Sequence, residues 1–464
     1  IQQTGAKIHC CSKWLNGLTV LLQDSNLMAN IRSLPFVKWT QYTGKTTSPS
    51  AKISKKTKFK VPAEQNDYAN QIKQVGGDYL LKNGLRGKNI HIGVLDAGFT
   101  HVNINPAFDS LRLQNRLLGT KDIVSLSDLD IFEAHFHGAN VLSIMTANLP
   151  EQYIGSAPGA SYWLIRTEND SSEYLVEIDF WVAGIEYADS VGVDLVNSSL
   201  SYTIFDESSM DFQYEDMNGE NSRASRAATI AAQKGIIVVV SAGNEGNKTW
   251  KYIGSPADAK ETITVGGVRA DGNPSAFSSF GPTFDGRVKP EICARGTSVE
   301  MIDVNGNLTY GNGTSYAAPI ITGLMAGYLQ YFKENQIHIT IHEILQSIFR
   351  TGNLYFNPTD QMGYGIPNFQ AALENYLTKN EMIIANNVQW FINKSDETIH
   401  IQLPKEIVGE KVQVRVYSDM GILRHQQEIS SEEIIISTSS FLPGIYLIHI
   451  RYDNKLVMKK IIIL

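Results

Sequence analysis

The sequence predicts an α/β protein: a doubly wound, mostly parallel sheet with helices on both faces, followed by a small β-sandwich. Three observations lead there. From about residue 67 to 377, apolar β-branched runs alternate with helical stretches, the pattern of parallel strands covered on both faces. After about 378 the runs shorten, alternate in polarity and are separated by turns, as in a sandwich. At 464 residues, 43% hydrophobic and 19% charged, the chain is long enough for two to four domains, at least one with a large core.

In chain order, residues 1–44 read as a small α/β piece. "WLNGLTVLL" is expected as a strand, "SNLMANIRSLP" as a helix capped by Ser25, and "FVKWTQYTG" as a second strand. Residues 45–66 hold six lysines, one acidic residue and few apolar anchors, which predicts an exposed linker and a place for cleavage. In 67–377 the expected strands are 89–96, 161–166, 194–201, 236–244 and 262–268, and the expected helices include 138–148, 179–192 and 223–235. Ligand sites of such sheets gather beyond the C-terminal strand ends, which draws attention to Asp96, Ser199, Ser201 and Asn244. Residues 378–464 supply the runs "QVRVYSDMG", "EEIIISTSS", "GIYLIHIRYDN" and "KLVMKKIIIL", expected as the sandwich strands.

Bulk properties narrow the function. A formal net charge of −7 argues against a general nucleic-acid binder, which carries a basic patch or stripe. No apolar run is long enough to span a bilayer; the best, Ile320 to Leu329, reads as a buried helix. Cys10, Cys11 and Cys293 form neither a disulfide framework nor a metal spacing. The chain begins at Ile1, and removal of an N-terminal targeting segment is an expectation consistent with that start.

The chemistry concentrates in four stretches. "YGNGTSYAAPIITGLMAG" sets Ser315 at the head of an apolar helix containing Pro319. Ser315 is either an N-cap or a nucleophile at a helix N-terminus, where the dipole and free N–H groups stabilise developing negative charge. Asp96 ends a strand in "GVLDAGF", His137 stands in "HFHGANVLSIM", and Asn244 sits in "VVVSAGNEG". Taken singly, these are a turn aspartate, a surface histidine and a turn asparagine. Together, in the order Asp, His, Ser and each at an element end, they match one known chain order of the acyl-transfer triad. His135 competes with His137; the latter directly precedes the glycine and the helix.

The region resembles the subtilisin-like serine peptidases, the subtilases, over roughly residues 67–377. "VLDAGF", "HGANV" and "GTSYAAP" are similar to that family's aspartate, histidine and serine motifs, and "SAGNEG" to its oxyanion-asparagine motif; "GSAPGA", "FSSFGP", "RVKPEICARG" and "GYGIPN" are similar to framework segments. The resemblance implies Ser315 as nucleophile, His137 as general base and then acid, Asp96 as its orienting partner, and Asn244 with the Ser315 N–H as oxyanion hole. It implies an extended substrate along Ser199, Leu200 and Ser201 and the segment after Arg166, and an S1 pocket walled by Ser199–Ser201 and Ala242, Gly243 and Asn244, with Gly254 and Ser255 near its base. Pro319 is expected to fall where it removes no intrahelical bond.

Four positions depart from the pattern: Ala97, Ala139, Ser201 and Arg295. Ala97 forgoes a hydroxyl beside the aspartate, and Ser201 adds a side chain at the S1 rim. Residues 1–44 resemble the C-terminal part of a subtilase inhibitory propeptide, which implies an intramolecular inhibitor and a latent chain. "VYSDMGILRHQ", "LPGIYLIHI" and "KLVMKKIIIL" resemble the C-terminal sorting domain of Bacteroidetes type IX secretion cargo. That implies a secreted or cell-surface protein with secretion machinery as partner; a plain accessory sandwich is the competing reading.

No cofactor is expected. The acidic stretch 205–221, "FDESSMDFQYEDMNGEN", carries oxygens suited to a structural Ca²⁺, without the spacing of a dedicated calcium loop; a solvated loop is the simpler reading. The expected function is a serine endopeptidase acting on protein or peptide through an acyl-enzyme, with no nucleic-acid partner. The rivals are a catalytically silent binding or scaffold protein of the same fold, and an esterase or transpeptidase.

Overall fold

A computed structural model describes residues 4–45, 68–126, 130–377, 389–393, 396–403, 411–419, 421–452 and 455–463. All but the first residue of the lysine-rich linker lies outside the described residues, as does 378–388. The chain divides into two compact units, Ile1–Ala372 and Leu373–Leu464.

The N-terminal piece opens with an antiparallel pair, β1 (Lys7–Ser12) and β2 (Gly17–Leu21), and a short helix, α1 (Leu27–Arg32). Two expectations are corrected. Ser25 does not cap α1. The residue before the helix is Asn26, and Asp24 turns the chain by accepting from the Asn26 amide at 2.9 Å through its side chain and the Leu27 amide at 3.1 Å through its carbonyl. Residues 36–44 form no strand. Phe36 and Trp39 are each 67% exposed, so the run has no sheet face to bury and no strand partner. It is held instead by single contacts such as Val176 N–H to the Thr43 carbonyl at 2.9 Å.

The larger sheet contains β3 (His91–Asp96), β4 (Leu117–Asp122), β5 (Ser161–Arg166), β6 (Leu195–Ser198), β7 (Ile237–Ser241), β8 (Ile263–Val268) and β9 (Ile292–Arg295). Its order is β9-β8-β7-β6-β3-β5-β4, with every pairing parallel. These strands are Val/Ile-rich and β6, β7 and β8 are buried along their whole length, as two covered faces require. The chain winds from β3 to β5 and β4 on one side and to β6 through β9 on the other. The crevice beyond the ends of β3 and β6 is therefore the topological switch point where such sheets bind ligands.

Four helices matter for the site: α2 (His137–Thr146), α3 (Val176–Ser190), α4 (Arg223–Gln233) and α5 (Thr314–Glu334). Alternate sheet residues Leu95, Ile165, Val196, Val238 and Val240 share one core with α3 and α4, to which Trp14 and Leu15 of the N-terminal piece add. That core contains no residue of α5, which packs on β6 to β9 and on α2, as the alternation of strand side chains allows. Gly323 lets α5 lie close against the loop before β5: a Cβ there would lie 1.9 Å from Ser156 Oγ.

The thiols are not paired. Burial pushes those of Cys10 and Cys293 up to about 12, so neither is a ready thiolate. Among the described residues, no helix is long and apolar enough to cross a membrane.

The second unit has a three-stranded antiparallel sheet (Gln389–Asn393, Thr398–Gln402, Glu433–Ser437) and a four-stranded one (Leu423–Ile429, Val412–Ser418, Gly444–Tyr452, Lys455–Ile463). Inward residues of both, among them Ile399, Ile401, Val414, Val416, Ile434 and Ile448, form one core. Val412–Ser418 buries every second residue, the signature of a strand with one face inward.

Candidate active site

Asp96 ends β3 with its side chain wholly buried. Its Oδ1 accepts from the Ala97 amide at 2.8 Å and faces His137 Nδ1 at 2.8 Å. Oδ2 is buried without a hydrogen-bond partner, on a stretch where Ala97 supplies no hydroxyl. His137 is the first residue of α2, and Gly138 is what brings it close: a Cβ there would lie 2.4 Å from the Gly98 carbonyl and 2.9 Å from Asp96 Cβ. His135 does not take this place. Its Nδ1 accepts from the His137 amide at 3.3 Å and its ring lies tilted against Phe136 with centroids 4.3 Å apart. The Tyr316 ring lies 5.7 Å from that of His137, and burial pushes the Tyr316 phenol up to about 12, so it stays neutral.

Ser315 is the second residue of α5, after Gly313 and Thr314. It is therefore in the helix and not its N-cap. Ser315 and Ser199 exchange hydrogen bonds: Ser315 Oγ donates to the Ser199 carbonyl at 3.2 Å, and Ser199 Oγ donates to the Ser315 carbonyl at 2.8 Å. The second bond corrects the expectation for Pro319. With α5 starting at Thr314, the Pro319 position is the one whose N–H would reach the Ser315 carbonyl. Proline has no N–H to give, and the Ser199 hydroxyl supplies the missing donor.

Asn244 follows the end of β7. Its Oδ1 accepts from the Thr314 amide at 2.9 Å and from Thr314 Oγ1 at 3.1 Å, while Thr314 Oγ1 accepts from the Gly243 amide at 3.1 Å. With the carbonyl oxygen so engaged, Asn244 Nδ2 is the donor left for a ligand. Thr314 is the residue that sequence reasoning missed. Its only signal was a hydroxyl beside the serine, and its partners are some 70 residues away in the chain.

Of the expected substrate-binding residues, Ser199 is buried against α5 and Leu200 joins the core shared with α3 and α4. Tyr202 bonds Ser255 in both directions, at 2.8 and 3.0 Å, fixing the course of 199–203. Ser201 Oγ is buried with no hydrogen-bond partner, between Gly243 and Gly254; a Cβ on Gly254 would be 2.4 Å from it. Ala242 is fully buried, its amide bonded to the Val265 carbonyl at 3.0 Å. Ser255 is buried, its hydroxyl 2.5 Å from that of Ser222. Arg295 reaches away from the serine loop, donating through Nε to Gln74 Oε1 at 3.1 Å. The carboxylates of 205–221 mostly serve the loop: Asp211 accepts from the Phe205 amide and Asp216 from the Gln213 amide, while Glu220 pairs with Lys260.

Residues 87–365 match the subtilase family. Residues 1–60 match the peptidase S8 propeptide domain of Bacteroidota, and residues 393–464 a secretion system C-terminal sorting domain. Subtilisin DY of Bacillus licheniformis is 25% identical over 307 residues, covering 65% of this chain and 97% of that protein. The major intracellular serine protease of Bacillus subtilis is 27% identical, covering 61% and 82%. Two solved structures share the fold: MycP3 protease from the type VII (ESX-3) secretion system, TM-score 0.52 at 18% identity over 68% of this chain and 90% of that one, and the prenylagaramide maturation protease PagA, TM-score 0.51 at 20% identity over 64% and 97%.

Proposed function

The chain belongs to the subtilase family of serine endopeptidases and is a secreted or cell-surface protein, and from that premise we propose that it hydrolyses peptide bonds through Asp96, His137 and Ser315. The observation that carries this reading is the 2.8 Å contact between buried Asp96 Oδ1 and His137 Nδ1, in a site that also holds Ser315 at a helix start. A proton on Nδ1 donated to Asp96 leaves Nε2 unprotonated and able to act as base. The Ser315 hydroxyl turns from the Ser199 carbonyl to Nε2, loses its proton there and attacks the substrate carbonyl. Asn244 Nδ2 and the Ser315 amide receive the oxyanion, and a single such side-chain donor is worth about 3–4 kcal/mol in the transition state. The imidazolium, stabilised by Asp96, protonates the leaving amine. Water then cleaves the acyl-enzyme by the same route.

Substrate runs along Ser199, Leu200 and Ser201, with Ala242 and Gly243 backing the S1 pocket. The Ser201 hydroxyl occupies space between Gly243 and Gly254, which favours smaller P1 side chains. No cofactor takes part in these steps.

The N-terminal piece acts as the chain's own inhibitor. Supporting this, it binds α3 at several points: Ser12 Oγ and the amides of Lys13 and Trp14 donate to Glu186, and Thr19 Oγ1 donates to Asp179 at 3.0 Å. The test is a fluorophosphonate probe applied before and after limited nicking of 45–66, with adducts located by mass spectrometry and Ser315→Ala as control. The expected result is labelling at Ser315 that rises on nicking and is absent from the variant. A folded protein that never labels overturns the peptidase reading and favours the silent binding protein.

A further inference from the structure

We propose that Glu168, Glu173 and Glu177 form a binding site for one calcium ion at the mouth of the crevice, between the end of β5 and the start of α3. The three side chains each offer a carboxylate oxygen, and these oxygens lie within 4.8 Å of one another. Opposite ligands of one Ca²⁺ are roughly 4.6–5.2 Å apart, because each Ca–O bond is about 2.3–2.6 Å. The trio therefore fits around a single ion of that size without rearrangement.

A cluster of acids on a surface needs no ion, and the decisive feature is Glu177. Its side chain is 1% exposed, and neither carboxylate oxygen has a hydrogen-bond partner. A buried carboxylate without donors is costly unless it is neutralised or paired. Here its surroundings are acidic on each side. Glu168 comes from the segment after β5, Glu173 from the approach to α3, and Asp206 from the loop after β6; each raises the Glu177 carboxyl further above its ordinary value, where burial has already put it. The Tyr174 backbone, just before α3, offsets only part of this.

The rest of the site is built and braced. Tyr202 Oη donates to Glu168 Oε2 at 3.0 Å. Glu173 and Asp206 tie the two loops together, the Asp206 amide donating to the Glu173 carbonyl at 2.8 Å and the Glu173 amide to Asp206 Oδ2 at 3.2 Å. Three carboxylates give three to six oxygens, and Glu168 and Glu173 are partly exposed, so water completes the shell. All-oxygen ligation with irregular geometry suits Ca²⁺ better than Mg²⁺, which demands near-ideal octahedra. Asp206 of the 205–221 loop reaches the trio, so calcium binds beside that loop and not within it.

The test uses the full chain carrying Ser315→Ala, which prevents self-digestion, stripped with chelator and titrated with CaCl₂ in a calorimeter. Because binding is read as heat, the outcome does not depend on the peptidase reading. The proposal expects one site and a calcium-dependent rise in melting temperature. Glu177→Gln keeps the shape and removes a charged ligand; it should weaken binding by roughly tenfold or more. Its melting temperature without calcium should be no lower than that of the parent, since the repulsion is relieved. Glu168→Gln should weaken binding in the same direction. No calcium heat in the folded parent, or equal affinity in parent and Glu177→Gln, overturns the assignment.

Discussion

Ser199 joins two parts of the site that are 116 residues apart in the chain. Its hydroxyl serves the Ser315 carbonyl left over by Pro319, and its carbonyl holds the Ser315 hydroxyl in waiting. Ser199→Ala leaves a buried carbonyl without a donor, which costs about 1–3 kcal/mol. The expected result is a lower denaturant midpoint and slower fluorophosphonate labelling at Ser315. Ser199→Thr, which keeps the hydroxyl, should restore most of both. Unchanged stability in the alanine variant would mean the Ser315 carbonyl finds another partner. Ala97 works by omission: the sequence announces a missing hydroxyl beside Asp96, and the structure finds Asp96 Oδ2 buried and unpaired.

At the scale of elements, α3 is the shared support. One end carries Glu177. Farther along, Glu186 accepts from Ser12 Oγ, from the Lys13 amide at 2.9 Å and from the Trp14 amide at 3.3 Å, gathering the turn between β1 and β2. A carboxylate taking several donors is worth more than one neutral bond, about 1.5–3 kcal/mol per charged contact. Glu186→Ala should loosen the N-terminal piece and speed probe labelling of the un-nicked chain, with little effect once 45–66 is cut. Equal rates before nicking in parent and variant would show that Glu186 does not govern access. The strand at 161–166 was legible because a both-faces-buried strand writes itself as an apolar run. The segment 36–44 also carries aromatic and β-branched residues but has no sheet to join, which local sequence does not reveal.

At the scale of the whole molecule, the core that α3 and α4 share with the parallel sheet and the core of the C-terminal sandwich have no residue in common among the described residues. Each buries its own apolar faces, so each is expected to unfold on its own. Calorimetry of the full chain should show two transitions. Ending the chain after residue 377 should abolish one and leave the other, with probe labelling at Ser315 intact. The cut retains the helix at 369–377, whose Phe369, Ala372 and Leu373 are buried. Loss of labelling in the shortened, folded chain would mean that the sandwich supports the site.

The sequence by itself determined the fold class and the parallel strands, and singled out Asp96, Asn244, Ser315 and the His135/His137 pair as candidates. Burial periodicity and chemistry-bearing residues at element ends are local properties, written in consecutive residues. Only the tertiary structure decided between His135 and His137, because that choice rests on which ring the Gly98–Gly138 contact brings to Asp96. It also decided the work of Ser199 and Thr314, the turn at Asp24 that leads into α1, and the meeting of Glu168, Glu173 and Glu177. Each of these depends on hydrogen bonds or charges between residues that the fold brings together, and neither periodicity nor propensity encodes such a meeting.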